Sequence, residues 1–223
     1  MSRNSADFVS IHGQPIGGGR ASDIFDLGDG RVLRRFKRGG NAEREARVMR
    51  HARAHGYPVP DVFEVLPHGL VLERIDGPTM QAHVFRRPWT LARNLALLAE
   101  LHERLHRIAA PSDLRALGEG DALLHLDLHP NNVLLSPLGP VVVDWANAHR
   151  GDGDVDVALA WLIMATSGGT VGRVAARVFL RHFDQTAVLA AVPTASDYRI
   201  ADRNVTDAER SAIRSLVARV ARA

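Results

Sequence analysis

The order of two hydrophobic periodicities along the chain limits its fold more than any other sequence feature. Short apolar runs separated by glycine turns occupy the first forty residues, where the turn Gly28-Asp29-Gly30 has the composition of a tight β-hairpin. Two more apolar runs follow an early helix and reach Ile75. From Leu91 to Ile108, leucines recur on one face of a helix, and further helical patterns follow Gly153. Strands with one early helix, followed mainly by helices, predict an α+β chain with two lobes.

Composition excludes several classes of protein. The 223 residues are 46% hydrophobic and 24% charged, which is ordinary for a globular chain with a sizeable core. Cysteine is absent, which excludes disulfides, thiolate catalysis and cysteine metal sites. No apolar run approaches ~18 residues, so we expect a cytoplasmic protein with no membrane partner. The net charge of +3 is too weak to indicate a nucleic-acid partner.

Local signals divide the chain further. Gly39-Gly40-Asn41 predicts the start of a helix near Ala42, which ends at His55-Gly56-Tyr57-Pro58. Asp76-Gly77-Pro78 is typical of a turn. We expect a hinge at about residues 72–78, with an N-terminal lobe over 1–76 and a C-terminal lobe over 77–223. The predicted elements also include apolar strands at Val59–Leu66, Leu70–Ile75, Leu123–Leu128, Asn132–Leu135 and Val141–Asp144, and helices at Val155–Ala165, Thr170–Phe183 and Asp207–Ala221.

The residues that carry chemistry are concentrated in one segment. The run from His125 to Asn132 reads HLDLHPNN, and Asp144 follows three valines twelve residues later. Two carboxylates and an amide on neighbouring loops suit a cation that prefers oxygen ligands, such as Mg²⁺. Asp127 and Asn132 also have the D-x-x-x-x-N spacing of a phosphoryl-transfer loop, in which the Asp accepts the hydroxyl proton and the Asn holds metal.

This segment resembles the aminoglycoside phosphotransferase-like branch of the protein-kinase-like superfamily, whose members read H-G-D-x-H-P-x-N before an apolar strand and I-D-W or I-D-F. The main departure is Leu126, where glycine is usual. The resemblance implies a small β-rich N-terminal lobe and a larger, mainly helical C-terminal lobe. It also implies a small-molecule kinase that transfers the γ-phosphoryl group of ATP or GTP to a hydroxyl, with Asp127 as catalytic base and Asn132 and Asp144 as Mg²⁺ ligands.

The same resemblance implies a nucleotide site in the first lobe. Its phosphate cradle would contain Gly18, Gly19 and Ser22, although the Ser22 hydroxyl could equally bond the backbone of its own turn. Arg34 stands where lysine is usual and would hold the phosphates, paired with Glu45 or, as second choice, Glu43. The main chain around Glu73, Arg74 and Ile75 would meet the purine.

For five other residues of the second lobe, the sequence predicts a place in the structure and no contact with a ligand. Asp156 is either a helix-start acid or, as the family implies, a brace for the catalytic loop. Trp145 and Trp161 are expected in the core. His102 and His106 lie on the polar side of the leucine helix, where we expect them to be solvated.

Two rival functions remain at this stage. His125, Asp127 and His129 alternate, so on a strand they would share one face and could bind Fe²⁺ or Zn²⁺. Pro130 and the unexplained Asn132 count against that alternative. A nucleotide-binding module without catalysis, similar to a pseudokinase, is motivated by Arg34. The acceptor, whether an aminoglycoside, a macrolide, a nucleoside antibiotic such as capuramycin or a metabolite, stays open, as does the oligomeric state.

Overall fold

The computed structural model describes residues 14–37 and 39–222. Its first half forms an antiparallel five-stranded sheet with strand order β1-β2-β3-β5-β4. The glycine turn at Asp29 joins β2 to β3, as the composition predicted. The five strands are β1 (Gly17–Gly18), β2 (Ser22–Gly28), β3 (Arg31–Phe36), β4 (Val62–Leu66) and β5 (Gly69–Glu73).

One helix, α1 (Ala42–Ala54), packs beside this sheet. The Asn41 side chain caps it by accepting a hydrogen bond from the Arg44 N–H at 2.9 Å. The chain leaves the helix at Gly56, whose φ of +75° suits glycine. Its buried face, which includes Val48 and Met49, joins the main core. The predicted helix and its start are therefore confirmed.

The second half is mainly helical, which confirms the two-lobed α+β fold. The leucine face of α3 is buried, as its periodicity predicted, and α4 is buried on nearly all sides. The sequence analysis assigned no helix to α2 or α6; α6 carries Pro193 in its interior, a residue that usually ends a helix. The helices are α2 (Met80–Arg86), α3 (Leu91–His106), α4 (Gly153–Ser167), α5 (Gly169–Leu180), α6 (Gln185–Ala201) and α7 (Asp207–Val220), with 3₁₀ turns at Pro88–Thr90 and Trp145–Asn147.

Short strands between α3 and α4 support the catalytic segment. They form a sheet of β6 (Ala116–Leu117), β10 (His149–Gly151) and β7 (Ala122–Leu124), and a hairpin of β8 (Val133–Ser136) and β9 (Gly139–Val142). The β7 and β9 strands end earlier than predicted. The reason is that Leu126 and Asp144 have φ values of +57° and +68°, a left-handed conformation in which no strand continues.

The connection between the lobes lies where β5 ends and α2 begins. In it, the carbonyl of Pro78 accepts the Leu135 N–H at 2.9 Å, which ties the connection to β8. We propose that the lobe boundary lies within residues 72–78. Within the described ranges, no helix combines the length and the apolar character that crossing a membrane requires.

Candidate active site

A glycine hairpin forms one edge of the site. The Gly19 N–H donates to the Ser22 carbonyl at 2.9 Å, and the Lys37 ammonium donates to the Gly19 carbonyl at the same distance. A Cβ on Gly18 would lie 2.9 Å from the Ser22 carbonyl oxygen, so the turn requires a residue without a side chain there. The tip of this hairpin, Gly19 to Ala21, lines the main cavity.

Arg34, on β3, is buried among the side chains that the first lobe provides to the site. Its Nη1 pairs with Glu45 and its Nη2 with Asp144, while its Nε donates to the Ser22 hydroxyl at 3.0 Å. The predicted ion pair between Arg34 and Glu45 is therefore present. The Ser22 hydroxyl accepts the Arg34 Nε–H and so holds the guanidinium in place, and its role toward a phosphate stays a prediction.

Glu45 extends this network to the loop that carries Asp144 and Trp145. Its carboxylate also accepts the Trp145 backbone N–H at 3.1 Å, directly after Asp144 in the chain. The Trp145 indole donates to the Val142 carbonyl at 3.0 Å and packs against His125. Trp145 and Trp161 are both buried, which confirms their assignment to the core. Helix α1 is thereby fixed to the loop that presents Asp144.

The backbone of residues 125–132, the candidate catalytic loop, is held by a buried carboxylate. Asp156 on α4 accepts the backbone N–H groups of His125 at 2.9 Å and Leu126 at 2.8 Å. Leu126 is fully buried and left-handed, a conformation that costs a non-glycine residue roughly 1–2 kcal/mol. This backbone requirement explains why glycine is usual at that position, and the bond to Asp156 offsets the strain here.

His102 and His106 are not solvated, contrary to the sequence analysis. His102 is fully buried, and its Nε2 donates to the Leu128 carbonyl at 3.1 Å. The His106 Nε2 donates to Asp156 at 3.2 Å. Their i,i+4 spacing, which puts both rings on one helix face, was the available signal. Burial lowers the pKa of His102 to about 4, despite the opposing charge of Asp156.

The same three residues have side chains that can bind a metal ion. The ligand atoms of His102, His106 and Asp156 lie within 4.8 Å of one another, a spacing that a metal ion can bridge. The Asp156 carboxylate already accepts N–H donors on both oxygens. We therefore assign this cluster to bracing the catalytic loop.

Asp127 and Asn132 are joined across their loop. The Asn132 amide nitrogen donates to the Asp127 carbonyl at 2.8 Å and to its Oδ2 at 3.0 Å. His129 Nε2 and Arg199 Nη1 each lie 3.5 Å from Asp127 Oδ1. Burial raises the pKa of Asp127, but the hydrogen bond and charge of His129, with the charge of Arg199, hold it below its usual value.

The donor set beside Asp127 fits a divalent cation. With its nitrogen committed to Asp127, the Asn132 Oδ1 has no hydrogen-bond donor in the described part of the chain and remains a ligand oxygen. The Val143 N–H donates to the Asn132 carbonyl at 3.0 Å, which keeps Asp144 beside Asn132. The Asp144 side chain is 39% exposed. Carboxylate and amide oxygens that can be reached from solvent are the ligands Mg²⁺ prefers.

The geometry does not form the alternative triad of His125, Asp127 and His129. The strand ends at Leu124, so the three side chains do not share a strand face. The His125 ring is buried, with its Nε2 donating to the Val143 carbonyl at 3.1 Å. Only Asp127 and His129 of the three line the main cavity.

Two backbone N–H groups of the predicted hinge already donate hydrogen bonds within the sheet region. The Glu73 N–H donates to the Asp61 carbonyl at 2.9 Å, and its carboxylate accepts the Asp61 N–H at 3.1 Å. The Arg74 N–H donates to the Gly30 carbonyl. Ile75 follows them, and its backbone N–H has no hydrogen-bond acceptor among the described residues.

A cavity of about 490 Å³ lies between the hairpin tip, the catalytic loop and the C-terminal helices.

Arg199, at the end of α6, is a functional candidate that was not predicted from the sequence, because no helix was predicted there. Arg20, at the hairpin tip, was missed as well. Arg20 donates to the Asn204 carbonyl at 2.6 Å and to Glu209 at 3.1 Å, which closes the cavity on one side.

The comparisons with known proteins agree with this geometry. The family model "Phosphotransferase enzyme family" matches residues 12–122 and 73–190. Comparison with curated protein sequences gives no significant match.

Several solved structures share the fold. Aminoglycoside phosphotransferase APH(4)-Ia is 16% identical, with a TM-score of 0.70 over 94% of this chain and 92% of that one. A choline/ethanolamine kinase family protein from Mesorhizobium loti is 19% identical, with a TM-score of 0.65 over 98% and 92%. The streptomycin–ATP–APH(2")-IIa ternary complex is 16% identical, with a TM-score of 0.61 over 92% and 90%.

The three partners of Arg34 yield a prediction about lysine at this position. One ammonium cannot reach Ser22, Glu45 and Asp144 together, so Arg34→Lys loses charge-assisted hydrogen bonds worth about 1.5–3 kcal/mol. These bonds are present in the protein without a ligand, so we expect urea denaturation to show the free energy of unfolding lowered by about that amount. Arg35→Lys on the opposite strand face, where Arg35 stacks on Phe25, is the matched control. Equal effects of the two variants would contradict the assignment.

Burial of His102 predicts acid sensitivity of the fold. Its pKa is about 4 in the folded chain, against an ordinary value of 6.5, so the unfolded chain binds the proton more readily. The free energy of unfolding should therefore fall as the pH falls from about 6.5 to 4, and below pH 4 His102 should add no further loss. Urea denaturation at several pH values should show a smaller loss for His102→Gln, whereas His182→Gln, at an exposed site, should behave as the parent protein. An unchanged pH dependence in His102→Gln would refute this.

Proposed function

Because the chain belongs to the phosphotransferase enzyme family, we propose that it transfers the γ-phosphoryl group of ATP, or of GTP, to a hydroxyl of an antibiotic or metabolite. The observation that carries this proposal is the junction of Asp127, Asn132 and Asp144 at one end of the cavity. A binding module alone has no use for a carboxylate positioned as a base. ATP accompanies streptomycin in one of the similar structures, which supports a nucleotide as donor.

The first lobe binds the donor in this proposal. The glycine hairpin would surround the phosphates, with Gly18 and Gly19 letting the backbone approach them closely. Arg34, fixed by Glu45 and Ser22, supplies the positive charge beside them. The N–H of Ile75 meets the purine at the hinge.

The second lobe positions the acceptor. Its hydroxyl oxygen attacks the γ-phosphorus as the bond from phosphorus to the bridging oxygen breaks and the nucleoside diphosphate leaves. Asp127 orients the hydroxyl and takes its proton. Asn132 and Asp144 would hold Mg²⁺, which would neutralise charge on the phosphates when bound. Because Asp127 has a lowered pKa, orientation contributes more than basicity.

The test of this proposal is a panel of hydroxylated antibiotics and metabolites, assayed for release of ADP or GDP with and without Mg²⁺. Acceptor-dependent release supports the kinase. Binding of Mg-nucleotide without any turnover would instead favour a non-catalytic module. Stoichiometric iron or zinc in protein purified without added metal would favour the metal-dependent alternative.

Replacement of the base gives a specific prediction. Asp127→Asn keeps the bond geometry of the side chain but cannot accept the proton, so we expect kcat to fall by roughly 10² or more with nucleotide affinity nearly unchanged. Steady-state kinetics and calorimetry measure the two quantities. Asp197→Asn, at an exposed position of α6, is the control. Near-parental turnover by Asp127→Asn would remove Asp127 from the mechanism.

Replacement of the metal ligand has a different expected effect. Asp144→Ala removes the exposed carboxylate beside Asn132, so the gain in nucleotide affinity that Mg²⁺ provides should disappear. Titration with ATP in the presence and absence of Mg²⁺ separates this effect from the loss of a partner for Arg34, which acts in both conditions. Retention of the full Mg²⁺-dependent gain would contradict the assignment.

A further inference from the structure

The hairpin between β1 and β2 is weakly supported within its own lobe. β1 is two residues long and forms the edge of the five-stranded sheet, and residues 17–21 are all exposed. A Cβ on Gly17 or Gly19 would meet no atom within 4 Å, so little packs against the backbone there. Segments with few packed contacts open at a low cost in free energy. The position of the hairpin tip therefore depends on contacts outside its own sheet.

Arg20 at the hairpin tip supplies such a contact by reaching the second lobe. Its Nη1 donates to the Asn204 carbonyl at 2.6 Å, and its Nη1 and Nη2 donate to the two carboxylate oxygens of Glu209 at 3.2 Å and 3.1 Å. Two parallel bonds between a guanidinium and a carboxylate are directional. We call these three residues the clasp. The hydrogen bond from Arg20 lowers the pKa of Glu209 to about 2, so this carboxylate is charged at neutral pH.

The second-lobe side of the clasp is firmly held. Glu209 takes part in the capping box of α7, where its carboxylate accepts the Thr206 N–H at 2.8 Å and the Thr206 hydroxyl accepts the Glu209 N–H at 3.2 Å. Arg210 donates to the carbonyls of Ile200 and Asp202, both at 3.0 Å, and so ties α7 to the end of α6. Opening of the clasp would therefore move the hairpin and leave α7 in place.

The clasp and the hairpin line the cavity together. Gly19, Arg20 and Ala21 do so from the first lobe, and Asn204 and Glu209 do so from the second. Within the described ranges, no residue of 17–21 other than Arg20 forms a hydrogen bond with the second lobe. The clasp is thus the polar link that decides whether the hairpin tip stays at the cavity.

We propose that Arg20 is a positioning residue of the donor site and that the clasp gates this site. The closed clasp holds the backbone of Gly18 and Gly19 where the phosphates would lie, and the open clasp frees the hairpin and lets the nucleotide exchange. The inference rests on the proposed function, which supplies the nucleotide. The Arg20 side chain is 57% exposed, and an ion pair this open to water is weak, so the clasp can open on the time scale of loop motions.

Two single variants and their combination test the clasp. Glu209→Gln removes the charge but keeps the capping box, in which glutamine serves as glutamate does. Arg20→Gln removes the other partner. In hydrogen exchange of the ligand-free protein, we expect residues 17–21 to exchange faster in both single variants, with no further increase in the double variant. Glu103→Gln on α3, which breaks an exposed pair with Arg107 at 3.9 Å, is the control and should leave this exchange as in the parent.

Release of a fluorescent ATP analogue bound with Mg²⁺, followed by stopped flow, tests the gate. We expect release to be about two- to fivefold faster in each single variant, the range that an exposed ion pair contributes, and no faster in the double variant. The two single variants change the net charge in opposite directions, so a general charge effect on the anionic nucleotide would shift their release rates in opposite directions. Loss of the clasp shifts both rates in the same direction.

Three results would overturn the inference: unchanged exchange at residues 17–21, additive effects of the two variants, or release rates that move in opposite directions. The last result would mean that Arg20 contacts the phosphates directly. Failure of the parent protein to bind Mg-ATP would instead count against the proposed function, and the exchange measurement on the ligand-free protein would still decide whether the clasp holds the hairpin.

Discussion

The buried guanidinium of Arg34 sets how the two lobes meet. A charge in this position is tolerated only where its hydrogen-bond donors all find acceptors, and three separate elements supply them through Ser22, Glu45 and Asp144. Glu45 then accepts the Trp145 N–H, so the glycine hairpin, α1 and the loop that carries Asp144 share one network. A shift in any one of these elements leaves a buried polar group unpaired, and this dependence fixes their relative positions.

Two residues with a strained backbone, one of them a member of that network, lie at the site. Leu126 and Asp144 are both left-handed without being glycine, and each lies directly beside or within the catalytic constellation. Asp156 compensates at Leu126 by accepting its N–H, while His102 and His106 pack over the same carboxylate. The left-handed turns end β7 and β9 early and direct Asp127 and Asp144 into the cavity. Helix α4, which is buried on nearly all sides, thus carries the carboxylate that supports this loop.

The sequence was sufficient where a local pattern determines structure. Periodicity and caps predicted α1, α3 and the hairpins, and the spacing of Asp127, Asn132 and Asp144 predicted that these side chains converge. Contacts between distant residues left no such pattern: His102 looks like a polar-face residue until Asp156, more than fifty residues later, is packed against it. Helix α6 was hidden by Pro193, and Arg199 with it. The bond between Ser22 and Arg34 was not predicted, because Arg34 lies across the hairpin from Ser22.

The near absence of lysine has a consequence for recognition in this chain. Its single lysine is Lys37, so the cations around the cavity are arginines, and a planar guanidinium bonds several acceptors at once. Arg20 holds Asn204 and Glu209, while Arg199 lies between Asp127 and Asp202. Two of the guanidinium groups are shared, because Arg34 pairs with both Glu45 and Asp144 and Arg199 lies between two carboxylates. The lining of the cavity therefore keeps a net negative charge, and the guanidinium groups fix the directions of its carboxylates.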